Sequence, residues 1–347
     1  MRPTRNARIG PDLQIARGRQ QCCDGAPLKM GQTLGMQIPF DFHEDKPLFR
    51  SQIIAGFECG LVRRGAHDLL VTTRHTPEDR MLQHLHIARD HGLATMRDGL
   101  VPGHNALDRL KTAQEAGMQG IWDLSHYHRN ADPVRCARIV AEAALAVTGD
   151  ARLWLCPVNE PSLYPALAGM SRHEAVDLAI TMARAARDHH PDVGILTNDP
   201  ITGVGERQFH ATDAIVAAVH VDVIGVNYYP HTARTTLSKV LVKTWRRYSK
   251  PIMVSETSWH DGHPVHHRRY PHFDKGRWLR HVLDEVALAR ARGVNIVGVC
   301  WYPFVDCPPW NAPWSQQRWS HGLIRKDLSV DPLFSTELVR LRPNVNG

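Results

Sequence analysis

Between residues 53 and 341 the chain alternates short, nearly unbroken apolar runs with longer stretches in which apolar residues recur every three or four positions. The short runs cover residues 53–59 (IIAGFEC), 93–97 (LATMR), 118–124 (MQGIWDL), 153–158 (LWLCPV), 193–197 (VGILT), 223–228 (VIGVNY), 252–256 (IMVSE) and 296–301 (IVGVCW). A strand covered on both faces, as in a parallel sheet, reads this way. The longer stretches carry helix punctuation. Residues 77–92 open on Pro77 and stop at Gly92, residues 105–117 run from Asn105 to Gly117, and residues 132–149 run from Asp132-Pro133 to Gly149. Residues 171–191 open on Ser171 with Glu174 three positions on, a capping box. Further helices are predicted over 206–219, 237–248, 275–292 and 331–341. Eight strands, each followed by a helix, predict an α/β chain folded as a single (β/α)8 TIM barrel over residues 51–347. The alternative is an open, doubly wound sheet with extra units. Residues 1–50 lack this periodicity. Their first 30 positions carry six basic and two acidic residues, so they are expected to form a poorly ordered or loosely packed N-terminal arm.

Composition narrows the classes. With 43% apolar and 22% charged residues, the 347-residue chain can bury a large core, which excludes wholesale disorder. No apolar run approaches the roughly 18 residues of a membrane span, so no membrane partner is expected. The formal net charge is +7, but its basic residues are scattered and no recognition motif accompanies them, so no nucleic-acid partner is expected either. The seven cysteines are odd in number and contain no C-x-x-C, which predicts free thiols in a reducing compartment. The basic N-terminus has no apolar stretch of a secretory signal, and a cytoplasmic location is expected.

In a barrel, chemistry sits at the carboxyl ends of the strands. The predicted strands end at or near Glu58, Arg97-Asp98, Asp123 with Ser125-His126, Asn159-Glu160, Asn198-Asp199, Asn227-Tyr228-Tyr229, Glu256 and Trp301. Asn and Asp are common in turns, so Asp98 and Asn198-Asp199 carry less weight. Glu160 and Glu256 stand out because closure would face the fourth and seventh strands across the barrel mouth. Two such carboxyls are what glycoside hydrolysis needs, one to protonate the leaving oxygen and one to attack the anomeric carbon or activate water. Asn159 is placed to bind the neighbouring sugar hydroxyl. The aromatics Tyr228, Trp259, Trp301 and Trp310 are candidates for stacking on sugar faces. Strand alternation admits one of Tyr228 and Tyr229, and Tyr228 is the expected one. Residues 305–319 (VDCPPWNAPWSQQRW) are read as an aromatic wall over the mouth.

Asn159-Glu160-Pro161 after an apolar strand, residues 223–230 (VIGVNYYP), 254–259 (VSETSW) and 298–306 (GVCWYPFVD) followed by Gly322-Leu323-Ile324 resemble the clan A (β/α)8 glycoside hydrolases. The nearest likeness is to glycoside hydrolase family 1, the β-glucosidase-like group, and residues 123–128 (DLSHYH) are similar to that group's third strand. The resemblance implies a retaining β-glycosidase with Glu160 as acid/base and Glu256 as nucleophile. It implies that Asn159 holds the sugar 2-hydroxyl, that Tyr228 orients the nucleophile, that Arg97 sits beneath it, and that His126 and Trp301 line the subsite. The chain departs from the group at three strand ends. Glu58 stands where a Gln is usual and is read as a binder of a hydroxyl pair or a partner of Arg63 or Arg97. The second strand continues Arg97-Asp98-Gly99-Leu100 without a Trp, and the seventh ends Ser255-Glu256-Thr257. Histidines 260, 263, 266, 267 and 272 lack H-E-x-x-H spacing and a Cys partner, so a solvated or substrate-facing loop is expected, with no metal and no cofactor. The expected partner is a carbohydrate substrate, a short β-linked oligosaccharide or glycoside. Endo action or transglycosylation on an anionic polysaccharide, or an idle carbohydrate-binding barrel, are the alternatives.

Overall fold

The structure, a computed structural model, describes residues 47–341 apart from 58–60, 65–66, 71–77, 102–105, 128, 130–131, 149–151, 310–314 and 316–317. Eight parallel strands close into a barrel in the order β1 (Ile53–Gly56), β4 (Thr95–Gly99), β5 (Gln119–Asp123), β6 (Trp154–Cys156), β7 (Gly194–Pro200), β8 (Val223–Asn227), β9 (Ile252–Thr257) and β10 (Ile296–Trp301), with β10 returning to β1. Each predicted strand is present, four of them shorter than the apolar run and two, β7 and β9, longer. Strands β2 (Leu61–Arg64) and β3 (His67–Leu70) form an antiparallel hairpin between β1 and the first helix, which the apolar pattern did not predict.

Eight principal helices cover the barrel: α1 (Glu78–Asp90), α2 (Ala106–Glu115), α3 (Pro133–Thr148), α5 (Arg172–His189), α6 (His210–Ala218), α7 (Leu237–Tyr248), α9 (Lys275–Arg290) and α10 (Pro332–Arg340). The one-turn α4 (Tyr164–Leu167) follows β6, and α8 (Pro264–Arg269) precedes α9. Helix α5 starts with the predicted capping box: the Ser171 hydroxyl accepts from Glu174 N at 3.2 Å, and Glu174 accepts from Ser171 N at 2.7 Å. Asp274 and Asp331 cap α9 and α10 in the same way, each accepting an amide hydrogen three residues on.

Inward-facing residues fill the barrel. Ile54, Ile121, Trp154, Cys156, Leu196, Val223, Met253 and Cys300 form one buried cluster, and Phe49 joins it edge-on to Trp154 at 5.1 Å. Residues 47–50 therefore belong to the barrel, and the expected boundary after residue 50 falls too late. The rest of the expected arm, residues 1–46, lies outside the described residues. Gly225 is an inward position where bulk is excluded: a Cβ there would stand 2.6 Å from Ser255 Oγ and Thr197 O. That absence of a side chain lets the polar layer above it close in.

Candidate active site

Above the apolar plug, the next inward residues are polar, and one guanidinium organises them. Arg97 on β4 is 3% exposed and uses all five of its N–H groups. Nε donates to Asp123 Oδ1 at 3.0 Å, Nη2 to Asp123 Oδ2 at 2.8 Å and to Asn159 Oδ1 at 2.7 Å, and Nη1 to Ser255 O at 2.9 Å and Glu256 Oε1 at 3.0 Å. Burial alone would pull a proton off such a group, but Asp123 and Glu256 more than reverse this and keep Arg97 charged. For Asp123 burial works upward, yet Arg97 and His126 hold its carboxyl below the usual range. His126 lies across Asp123 Oδ2 at 3.1 Å and reaches Asn159 Nδ2 through Nε2 at 3.0 Å. Asn159 also accepts from Asn198 Nδ2 at 2.5 Å.

Two buried glutamates stand in this layer. Glu256 ends β9, 4% exposed; beyond its bond from Arg97, its Oε2 accepts from the Tyr229 hydroxyl at 2.7 Å. Both of its oxygens thus accept from donors. Glu160 follows β6, 6% exposed, and accepts from Asn227 Nδ2 at 2.8 Å and from the Tyr127 hydroxyl. Burial first, then the charge of Glu256, push the Glu160 carboxyl well above the usual range; Asn227 pulls it back and Asp199 adds to the rise. Among the described residues no ion pair reaches Glu160, and only His126 exerts an opposing charge on it. Glu160 and Tyr127 both adopt left-handed backbone, at φ 46° and 60°, in a region non-glycine residues seldom enter. Strain of this kind persists where surroundings over-determine it, and here both residues belong to one hydrogen bond. The two acids are linked through the polar layer, since Asn227 donates to Glu160 while accepting from the Ser255 hydroxyl at 2.6 Å, one residue before Glu256.

Residues 181–269, which carry Tyr229 and Glu256, match the family model of glycosyl hydrolase family 53. No curated protein sequence matches the chain. The fold is similar to solved β-glucosidases. One is β-glucosidase 1317, at 15% identity and TM-score 0.59, over 82% of this chain and 92% of that one. Another is the β-glucosidase of Thermotoga maritima in complex with deoxynojirimycin, at 13% identity and TM-score 0.61, over 84% and 97%. A third is a psychrophilic β-glucosidase of Micrococcus antarcticus, at 13% and 0.59, over 84% and 96%.

The structure brings Arg97, His126, Asn159, Glu160 and Glu256 together, and it moves three expected residues elsewhere. Tyr228 faces outward: its ring stacks on Trp278 of α9 at 6.4 Å and its hydroxyl donates to Thr235 O. Tyr229, not Tyr228, is the tyrosine that meets Glu256. Val223 points into the barrel, so alternation carries Gly225, Asn227 and Tyr229 inward as well, a signal the sequence already held. Trp259 is fully buried among Trp278, Phe273 and His266, in the layer between barrel and helices. Trp301 follows the inward Cys300 and so turns outward, 4.3 Å from Phe334 of α10, with its N–H donating to His321 O. None of the three is placed to stack on a sugar. Glu58 and Trp310 lie outside the described residues. Tyr127 and the Asn227–Ser255 link were not expected; the orientation of Tyr127 depends on a left-handed backbone turn with no residue-type signature.

The exchange of roles between the tyrosines is measurable. Tyr229→Phe is expected to lower kcat by about 10- to 100-fold, the worth of a hydrogen bond to a charged group. Tyr228→Phe should leave kcat unchanged. Steady-state rates on an aryl β-glycoside check both.

Asp199, at the end of β7, is 1% exposed and holds the segment after Glu160 by accepting from Ser162 N at 3.1 Å and from the Ser162 hydroxyl. Burial pushes its carboxyl up to about 7, against the pull of Ser162. An acid whose folded pKa exceeds its unfolded one stays protonated in the fold up to the raised value and is charged above it. Its contribution to stability is complete below about pH 4 and is lost as pH rises towards 7, a loss of roughly 4 kcal/mol. Asp199→Asn keeps the shape without the charge. Urea unfolding between pH 5 and 8 should show wild type losing stability relative to this variant as pH rises. A constant difference across that window would refute the assignment.

Proposed function

We propose that the chain is a retaining β-glycosidase acting on a short β-linked oligosaccharide or glycoside. The observation that carries this reading is the unequal treatment of two coupled, buried carboxyls at one barrel mouth. Glu256 is met by a guanidinium and a phenol, whereas Glu160 is driven towards its protonated form. That is the division of labour between nucleophile and acid. The partial match to a glycoside hydrolase family and the β-glucosidase fold support the same assignment.

In the first step a Glu256 oxygen attacks the anomeric carbon, the glycosidic C–O bond breaks, and the Glu160 proton passes to the leaving oxygen. Forming the ester removes the Glu256 charge, the largest charge acting on Glu160, so its carboxyl becomes a better base. In the second step Glu160 takes a proton from water, the oxygen of that water attacks the same carbon, and Glu256 departs as carboxylate. Asn159, held by Arg97 and Asn198, is positioned beside Glu160 to bind the 2-hydroxyl. We place the enzyme in the reducing cytoplasm, a reading supported by three buried cysteines, 136, 156 and 300, that are free thiols.

Hydrolysis of a panel of aryl β-glycosides followed by NMR tests this reading. The first-formed sugar should be the β-anomer. An α-anomer would overturn retention, and absence of turnover across the panel would favour a carbohydrate-binding barrel.

A further inference from the structure

The histidines after β9 do not form a simple solvated loop. Residues 264–269 fold as α8, and this turn brings His263 and His266 against His231, which lies on the loop after β8. One ring nitrogen from each of the three lies within 4.8 Å of the other two. His231 Nδ1 and His266 Nε2 are 3.0 Å apart, and the His263 and His266 rings stack at 4.4 Å. His266 is buried against Trp259 at 5.0 Å, which fixes the base of the cluster, while His231 is exposed and His263 half-buried.

We propose that His231, His263 and His266 form a binding site for one divalent transition-metal ion of the zinc class, separate from the two acids. Three imidazoles suit Zn2+, Cu2+ and Ni2+, and three protein ligands leave a fourth position for solvent. Tetrahedral zinc with Zn–N bonds of about 2.0–2.1 Å needs its nitrogens roughly 3.3 Å apart. His231 and His266, 3.0 Å apart, are already close to that spacing, and His263, the N-cap of α8, is the ligand that must close in from within 4.8 Å. The imidazoles also suit the task in their charge. Burial depresses all three, and neighbouring histidines add to this for His231, at about 4, and His266, at about 2; the neutral imidazole is the form that ligates. The ion would displace the hydrogen shared by His231 Nδ1 and His266 Nε2. That hydrogen moves to His266 Nδ1, at the expense of the long 3.2 Å contact from His260 N. The site joins the loop after β8, which carries Tyr229, to the loop after β9, the strand that carries Glu256; the Tyr229 ring stacks on His231 at 5.5 Å.

The test is isothermal titration of the full-length, EDTA-treated protein with Zn2+ alone, with Co2+ absorption as a second readout. Wild type should bind one Zn2+ per chain, and Co2+ should give the visible bands of a four-coordinate nitrogen-rich site. The double variant His231→Ala/His263→Ala removes the two accessible ligands and leaves buried His266 in place; circular dichroism confirms its fold. Changes outside the ligand sphere alone cost 10–100-fold, so the double variant should lose about 100-fold or more in affinity, together with the Co2+ bands. His267→Ala, a neighbour outside the trio, should bind as wild type does. Failure of wild type to bind stoichiometrically, equal binding by the double variant, or equal loss in His267→Ala would each overturn the proposal. None of these outcomes bears on the acid pair.

Discussion

Glu256→Ala is expected to lower kcat on aryl β-glycosides by at least about 10^4-fold, the scale seen when a nucleophile is deleted from a working constellation. The deletion leaves space where the carboxylate stood and leaves Arg97 Nη1 still bonded to Ser255 O, so the positive floor survives. A small anion should occupy that space. Azide is expected to restore turnover with activated substrates and to yield the α-glycosyl azide, because a single displacement from the Glu256 side inverts the anomeric carbon. This stereochemical reversal separates a nucleophile from a merely structural acid. If azide neither accelerates the variant nor gives a glycosyl azide, Glu256 does not attack the sugar.

Glu160→Gln should behave differently. The amide oxygen still accepts from Asn227, and the amide NH2 can donate to the Tyr127 hydroxyl oxygen in place of accepting from it, so position 160 keeps both partners. What disappears is a proton donor, worth about 10^2–10^4 in rate. The loss should be full for glycosides with poor leaving groups. It should be small in the first step for dinitrophenyl glycosides, whose leaving group needs no proton. The second step then limits, and a burst of phenolate should precede slow turnover. In the wild type, Glu160 must be protonated to act as acid, and its carboxyl lies well above the usual range, so activity falls as pH rises through that raised value. The variant should lack this alkaline limb. Asp199→Asn should shift the wild-type limb downward, since the Asp199 charge adds to the rise. A Glu160→Gln enzyme with an unaltered pH profile would rule out the acid/base role.

The barrel was legible because eight both-face-buried strands leave eight apolar runs, and because Pro, Gly and cap residues mark the helices between them. The acid pair was legible because Glu is not a turn former, so its recurrence at strand ends is informative. Outward and inward faces were harder. Tyr228, Trp259 and Trp301 are large, aromatic and close to the mouth, which made all three attractive, yet each occupies the outward phase of its strand end and packs against a helix. Counting alternation from Val223 would have selected Tyr229. A similar count from Ile121 reaches Asp123, whose partnership with Arg97 had not been assigned. The register shift between Val226 and Asn227 against β9, by contrast, leaves no mark in residue type. Nor does the fold of residues 264–269, which converts a histidine-rich stretch into one half of a cluster whose other half lies some thirty positions earlier.

The fully engaged fork of Arg97 has a further consequence for how such a protein can diversify. One cation fastens β4 to β5, to the end of β6 and to β9, with no donor left over. Any exchange there strips four structural elements of their common anchor at once, so the floor of the cleft is closed to gradual change. New sugar preferences must instead be won in the connecting segments above it, and laboratory libraries aimed at altered selectivity should spare the floor and randomise the rim.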